Sequence, residues 1–249
     1  MAAGAAKRRH PLVLGWEAVR ANMLPGLVIQ VLMLLVLLAY YFNPLFAEAL
    51  RRIAEYKQAH GIVFVIVATI LAASVLPEVF LVLFFQGGRI RAENLRNLIF
   101  TAPLWAFDGI LVDLMYRSLA GLLGDEATPS VVLTKICIDQ FGYNVLFAAP
   151  YGVLAYQWKN SGYSFAVLRR GFTLGYYRDK IIPTLVATWA IWIPIMAIIY
   201  SLPLALQFPL FSLALTFWVL LLTYMTNRFA GKSGSPVAIP VEIAAEERR

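Results

Sequence analysis

The chain has very few of the residues from which covalent cross-links and metal sites are built. Cys137 is its only cysteine, and His10 and His60 are its only histidines. A single cysteine cannot form an intrachain disulfide or a cysteine-based metal cluster, and two histidines are too few for a zinc site. We therefore expect no metal and no other cofactor.

Charged residues are also scarce. Only 14% of the 249 residues are charged and 61% are hydrophobic, with a mean hydropathy of +0.72. This composition excludes an ordinary water-soluble core and is typical of a helical membrane protein. The predicted fold class is all-α, a polytopic transmembrane helical bundle of about six spans with the lipid bilayer as its first partner.

The net charge of +7 does not indicate a nucleic-acid partner. The basic residues lie in short segments between apolar runs, as the positive-inside bias expects. Most lysines and arginines outside the spans fall in the N-terminal leader, the 87–97 loop, the 157–180 connection and the C-terminal tail. These four segments are every second connection along the chain, so we expect them on the same side of the membrane. We predict that both termini are cytoplasmic, in a bacterial inner membrane or, in a eukaryote, a mitochondrial or peroxisomal membrane.

The apolar runs define a single transmembrane domain over residues 23–227. A basic leader (1–22) precedes it and is interpreted as part of an uncleaved anchor, with a mitochondrial presequence as the alternative. The polar tail (228–249) is predicted to be disordered. The pattern at 45–60 favours an amphipathic interfacial helix, and the connection 157–180 favours a short surface helix. The predicted spans are 23–42, 61–86, 98–123, 131–156, 181–202 and 208–227.

Ionisable residues inside the predicted spans are the main functional signal. Lys135 and Asp139 are four residues apart, so on an α-helix they share one face and can neutralise each other. Asp113 and Arg117 have the same spacing. The topology places these four side chains in the outer half of the membrane and Asp108 nearer the midplane. Charges at such depth cost several kcal/mol unless they find partners or water, so their presence needs a reason.

Two interpretations of this polar network stay open. It is either an interhelical salt-bridge lock or the lining of a water-filled pathway. We find no nucleophile elbow, no His-Glu-x-x-His and no phosphate-binding glycine loop, and we predict no enzymatic activity. The candidate network and pore residues are Glu78, Asp108, Asp113, Arg117, Lys135, Asp139 and Gln140.

The order of several motifs resembles a known family. Lys135 followed by Asp139-Gln140 is similar to the Lys-x-x-x-Asp-Gln signature of the Mpv/PMP family, small peroxisomal and mitochondrial inner-membrane proteins that also have bacterial members. The resemblance covers about residues 56–226. The other residues that carry it are Gly109, Tyr116, Pro183, Trp189, Trp192, Pro194, Pro203 and Trp218.

The resemblance implies an integral membrane protein, since some family members are poorly selective channels linked to membrane homeostasis. The fifth span departs from the family pattern, with apolar residues such as Met196 and Ile198 at polar positions, so the polar lining is expected on the third and fourth spans. We predict a weakly selective channel or a transport bundle for small solutes or ions, with further copies of the chain as partners. The alternatives are a non-conducting structural or scaffold protein and, third, an integral-membrane enzyme.

Overall fold

The computed structural model describes residues 10–233, and this part of the chain is almost entirely helical with no strand. The predicted all-α class is confirmed. Within residues 10–233, six helices are long and apolar enough to cross a membrane. They are Pro11–Phe42, Pro44–Phe85, Ala92–Leu123, Pro129–Asn160, Leu174–Tyr200 and Leu204–Tyr224.

Three of these membrane-length helices contain a π-helical segment between α-helical parts. The α-helices are α1 (Pro11–Phe42), α2 (Pro44–Ile70), α3 (Leu76–Phe85), α4 (Ala92–Leu123), α5 (Pro129–Cys137), α6 (Ala149–Asn160), α7 (Phe165–Gly171), α8 (Leu174–Tyr176), α9 (Ile182–Tyr200) and α10 (Leu204–Ser233). The π-helical segments are Leu71–Val75, Ile138–Ala148 and Tyr177–Ile181.

Each π-helical segment ends two residues before a proline. The three prolines are Pro77, Pro150 and Pro183. Proline has no backbone N–H and its ring clashes with the carbonyl four residues earlier, so a regular α-helical turn cannot simply continue through it. The wider π-helical turn accommodates this, and the helix continues without a break.

The first helix begins earlier than predicted. The sequence placed a separate leader up to residue 22, whereas α1 begins at Pro11. The His10 side chain caps this helix by accepting a hydrogen bond from the Leu12 N–H at 3.3 Å. The first helical residue, Pro11, has no backbone N–H and therefore needs no acceptor. The rest of the leader, residues 1–9, lies outside the described residues.

The predicted interfacial helix and the second span follow each other directly within Pro44–Phe85, with no loop between them. A break at Gly61 (φ 50°, ψ −124°) separates them. Only glycine adopts this conformation without strain, so Gly61 allows the two halves to point in different directions. At the other end of the chain, α10 continues to Ser233, past the predicted start of the disordered tail at 228. Residues 234–249 lie outside the described part.

Helices α1 and α9 pack closely through small residues. A Cβ atom at Gly15 would lie 2.7 Å from Val186 Cβ, and one at Gly26 would lie 2.8 Å from Ile191 Cγ1. Small residues at such positions allow membrane helices to approach closely and gain van der Waals contact. Large apolar side chains such as Leu24 instead point outward and are exposed, as expected for a surface covered by lipid.

Candidate functional site

A cavity of about 180 Å³ lies between α4, the span that contains α5 and α6, α9 and α10. Its lining includes both of the deep carboxylates, Asp108 and Asp139, which are 8% and 4% exposed. No lysine or arginine of the described residues lines it. The polar side chains around the two acids are Tyr116, Gln140, Tyr143, Asn144, Thr184 and Thr188.

The π-helical segment Ile138–Ala148 supplies half of these eight polar groups. It carries Asp139, Gln140, Tyr143 and Asn144 to one side of the cavity. The Asn144 amide donates to Gln140 Oε1 at 3.3 Å. Because π-helical turns often occur at functional sites, this segment is the strongest local structural signal in the bundle.

Asp139 is held by a residue from another helix. The Tyr200 hydroxyl, near the end of α9, donates to Asp139 Oδ2 at 2.9 Å. The adjacent Gln140 carbonyl accepts from Trp189 Nε1 at 2.9 Å, so α9 contacts this part of the π-helical segment at two points. These contacts fix the Asp139 carboxylate against α9 while the side chain still borders the cavity.

Asp108 is different, because no side chain among residues 10–233 neutralises it. It forms no hydrogen bond and no ion pair with any residue of the described part of the chain. A buried carboxylate in this situation needs a proton, water or a cation. The cavity that it borders is the place from which such a partner can come.

A separate charge network is centred on Asp113. Lys57 Nζ lies 2.7 Å from Asp113 Oδ1, and Arg117 Nη2 lies 2.9 Å from Asp113 Oδ2. The Asp113–Arg117 pair follows the predicted four-residue spacing. Lys57 lies in the segment 45–60, which was predicted to be an interfacial helix, but its side chain is buried and joins α2 to α4. No sequence spacing signals this contact, because the partners are on different helices.

Lys135 and Asp139 do not neutralise each other as the sequence suggested. Lys135 is only 1% exposed, and the carboxylate paired with it is Asp125, at 4.0 Å. Asp125 also accepts from the Leu204 N–H at the start of α10, at 3.2 Å. Asp139 instead accepts from the Tyr200 hydroxyl, so the two members of the predicted pair have different partners.

Glu78 does not line the cavity. Its Oε2 atom accepts from Asn94 Nδ2 at 2.6 Å, near the beginning of α4. The Asn94 Oδ1 atom in turn accepts from the Arg91 N–H at 2.8 Å. Glu78 therefore joins α3 to the start of α4.

The residues that carry the family resemblance lie in different parts of the structure. Tyr116, Trp192 and Trp218 line the cavity, and the Tyr116 hydroxyl lies 3.8 Å from Met196 Sδ. Gly109 faces Thr69 on α2, where an added Cβ would meet Thr69 Cγ2 at 2.5 Å.

The three prolines that carry the family resemblance do not line the cavity. Pro183 comes just after the last π-helical segment, and Pro194 is inside α9. Pro203 lies in the turn before α10. They shape the fifth span and its connection to the sixth.

The fifth span contributes more than the sequence indicated. The polar lining was expected mainly on the third and fourth spans, but Thr184 and Thr188 of α9 also line the cavity. Tyr200, Tyr143 and Asn144 were not identified from the sequence. Tyrosine, threonine and asparagine are common in apolar helices for many reasons, so only their convergence on Asp139 and the cavity distinguishes them.

The fold and the site together define a polytopic α-helical integral membrane protein with a small, acid-lined cavity inside its bundle. Within residues 10–233 there is no group of three or more histidine, cysteine or acidic side chains arranged to hold a metal ion. Comparisons of the chain with protein-family models, curated proteins and solved structures found no match.

Proposed function

We propose that the protein is a weakly selective channel or transport bundle for small cations, along a route that touches Asp108 and Asp139. The observation that carries this proposal is the cavity lined by two deep carboxylates and by no basic residue of the described part of the chain. Acidic groups are expensive inside a membrane and commonly mark ion or proton pathways.

The electrostatics of the lining favour positive charge. A negative lining in a low-dielectric passage concentrates cations. Lys135, which on sequence grounds opposed cation preference, is not part of the lining and pairs with Asp125 instead. A cavity of about 180 Å³ has room for about six water molecules at roughly 30 Å³ each. Water therefore has room beside Asp108.

The resemblance to the Mpv/PMP family adds support, because some members of that family are poorly selective channels. It also suggests a role in membrane homeostasis. The distribution of basic residues supports an orientation with both termini in the cytoplasm.

The test is reconstitution of the purified protein in a planar bilayer of defined lipid with a potassium chloride gradient. The reversal potential should show a preference for potassium over chloride. Asp108→Asn and Asp139→Asn should each reduce this preference, because each removes one negative charge from the lining. Glu126→Gln is the matched control, since Glu126 is exposed in the turn before α5 and should leave the reversal potential unchanged.

Two results would contradict the proposal. One is the absence of conductance and of solute flux across the accessible range of pH and voltage. The other is an unchanged ion preference in folded Asp108→Asn and Asp139→Asn variants.

A non-conducting structural protein is the second candidate. The buried pair of Lys57 and Asp113, which ties α2 to α4, favours it. This candidate predicts that the reconstituted protein is silent and that its charge variants affect stability alone.

A further inference from the structure

A second concavity, of about 800 Å³, lies on the lipid-facing side of α4 and α6. It is a long groove whose lining is almost wholly apolar and aromatic. Ile99 and Leu146 at its margin are 66% and 80% exposed, so the groove opens toward the bilayer. The acid-lined cavity is separate from it, although Leu104 and Tyr151 border both.

The length of the groove matches one leaflet of a membrane. Its lining on the fourth span extends from Leu146 to Trp158, about 18 Å at roughly 1.5 Å per helical residue. Half of the hydrocarbon thickness of a bilayer is about 15 Å. One acyl chain can therefore lie along the groove from the interface to the midplane.

One end of the groove is basic. Lys159 Nζ lies 5.5 Å from the ring centroid of Phe100, and Phe100 is part of the lining. Arg169 and Arg170 come directly after Leu168, another lining residue, on α7. Both arginines are exposed. An anionic headgroup at this end would meet three positive charges.

The same end has a hydrogen-bond donor without an acceptor. The Nε1 atom of Trp158 is buried and has no hydrogen-bond partner in the described part of the chain. Buried indole N–H groups usually find a partner, so an acceptor from a bound molecule would complete this site.

Tyr163 covers this end in an unusual backbone conformation. Its φ of 63° comes after a φ of 67° at Gly162, and positive φ is rare for a bulky residue. Its ring centroid lies 5.0 Å from that of Trp158 in an edge-on contact. Such a conformation persists where the surroundings over-determine it and often marks a binding site. Here it keeps an aromatic ring in the lining of the groove, against Trp158.

We propose that this groove binds one anionic phospholipid. The acyl chain lies between α4 and α6, and the phosphate is bound by Lys159, Arg169 and Arg170, with the Trp158 N–H as a donor. This proposal is independent of ion passage through the acid-lined cavity. The predicted orientation places the site in the cytoplasmic leaflet.

The test is native mass spectrometry of the detergent-purified full chain after incubation with equal amounts of phosphatidylglycerol and phosphatidylcholine that have the same acyl chains. One phosphatidylglycerol should stay bound in preference to phosphatidylcholine. Arg169→Gln with Arg170→Gln should reduce this preference by about fivefold per charge, the equivalent of about 1 kcal/mol for each basic residue near a membrane surface. Arg89→Gln, in another exposed basic loop, is the control and should have no effect.

A second variant tests the apolar part of the groove. Ala155→Trp places a large ring in the groove and should reduce retention of both lipids, whereas Ala21→Trp, at an exposed position on α1, should not. Equal retention of the two lipids by the wild type would overturn the proposal and show ordinary bulk lipid only. Unchanged lipid binding in a folded Ala155→Trp variant would also overturn it. If the Ala155→Trp variant does not fold, the lipid preference of the variant with Arg169→Gln and Arg170→Gln still tests the proposal.

Discussion

In the buried pair of Lys57 and Asp113, we expect removal of the acid to destabilise the protein more than removal of the lysine. Their side chains are 11% and 6% exposed, and the ammonium and carboxylate are 2.7 Å apart. Asp113 has a second cation, Arg117, whereas Lys57 has no second carboxylate among the described residues. Removing the acid therefore leaves a buried cation alone, while removing the lysine leaves Asp113 with one partner.

The expected magnitudes reflect this difference. Asp113→Asn should lower the free energy of unfolding by about 3–5 kcal/mol, the usual cost of leaving a buried charge without its partner. Lys57→Met should cost less, about 1.5–3 kcal/mol, as for the loss of one hydrogen bond to a charged group. Arg117 is 57% exposed, so Arg117→Gln should cost only about 0.2–1 kcal/mol. The double variant Lys57→Met with Asp113→Asn should lose less than the sum of its parts, by about 1–3 kcal/mol.

The assay is unfolding in mixed micelles, with a mild detergent titrated by sodium dodecyl sulfate and helix content monitored by circular dichroism. Arg117→Gln is the matched control, because it removes a charge from the same carboxylate at an exposed position. Additive losses in the double variant would refute the coupling between the two side chains. A larger loss for Lys57→Met than for Asp113→Asn would refute the argument from the second partner.

Three further predictions concern packing, backbone and orientation. Gly109→Ala should destabilise the bundle by about 1–3 kcal/mol, because its Cβ would overlap Thr69, and Thr69→Ala should restore part of the loss in a thermal unfolding assay. Full stability of the single variant would contradict the close contact. Gly61→Ala should lower thermal stability by about 1–2 kcal/mol, because alanine is strained at positive φ, and an equal melting temperature would mean that the break is not needed. The third variant set replaces Cys137 and introduces one new cysteine, at Glu126 or at Arg89. The cysteine at Glu126 should react with an impermeant reagent from outside, and the cysteine at Arg89 should react from inside. Labelling of both from one side would contradict the six-span topology.

Part of the candidate site was accessible from the sequence. Asp108, Asp139 and Gln140 stand out because polar residues are rare in apolar runs, and all three line the cavity. The predicted partnership of Lys135 with Asp139 was wrong, because the carboxylate within 4.0 Å of the Lys135 ammonium belongs to Asp125, in the connection before α5. The four-residue spacing shows which side chains share a helix face, but it does not show that Lys135 contacts a residue outside its own helix.

The sequence by itself determined the class of the protein and the six membrane-length helices of the described residues. These are local properties, because hydropathy and span length depend on contiguous residues. Only the tertiary structure decided which side chains meet, such as Lys57 with Asp113 and Tyr200 with Asp139. Contacts of this kind depend on how each helix is rotated and on which helices are neighbours. Those quantities are set by packing across the whole bundle, through small residues such as Gly109 and through the three π-helical segments, and no single stretch of sequence contains them.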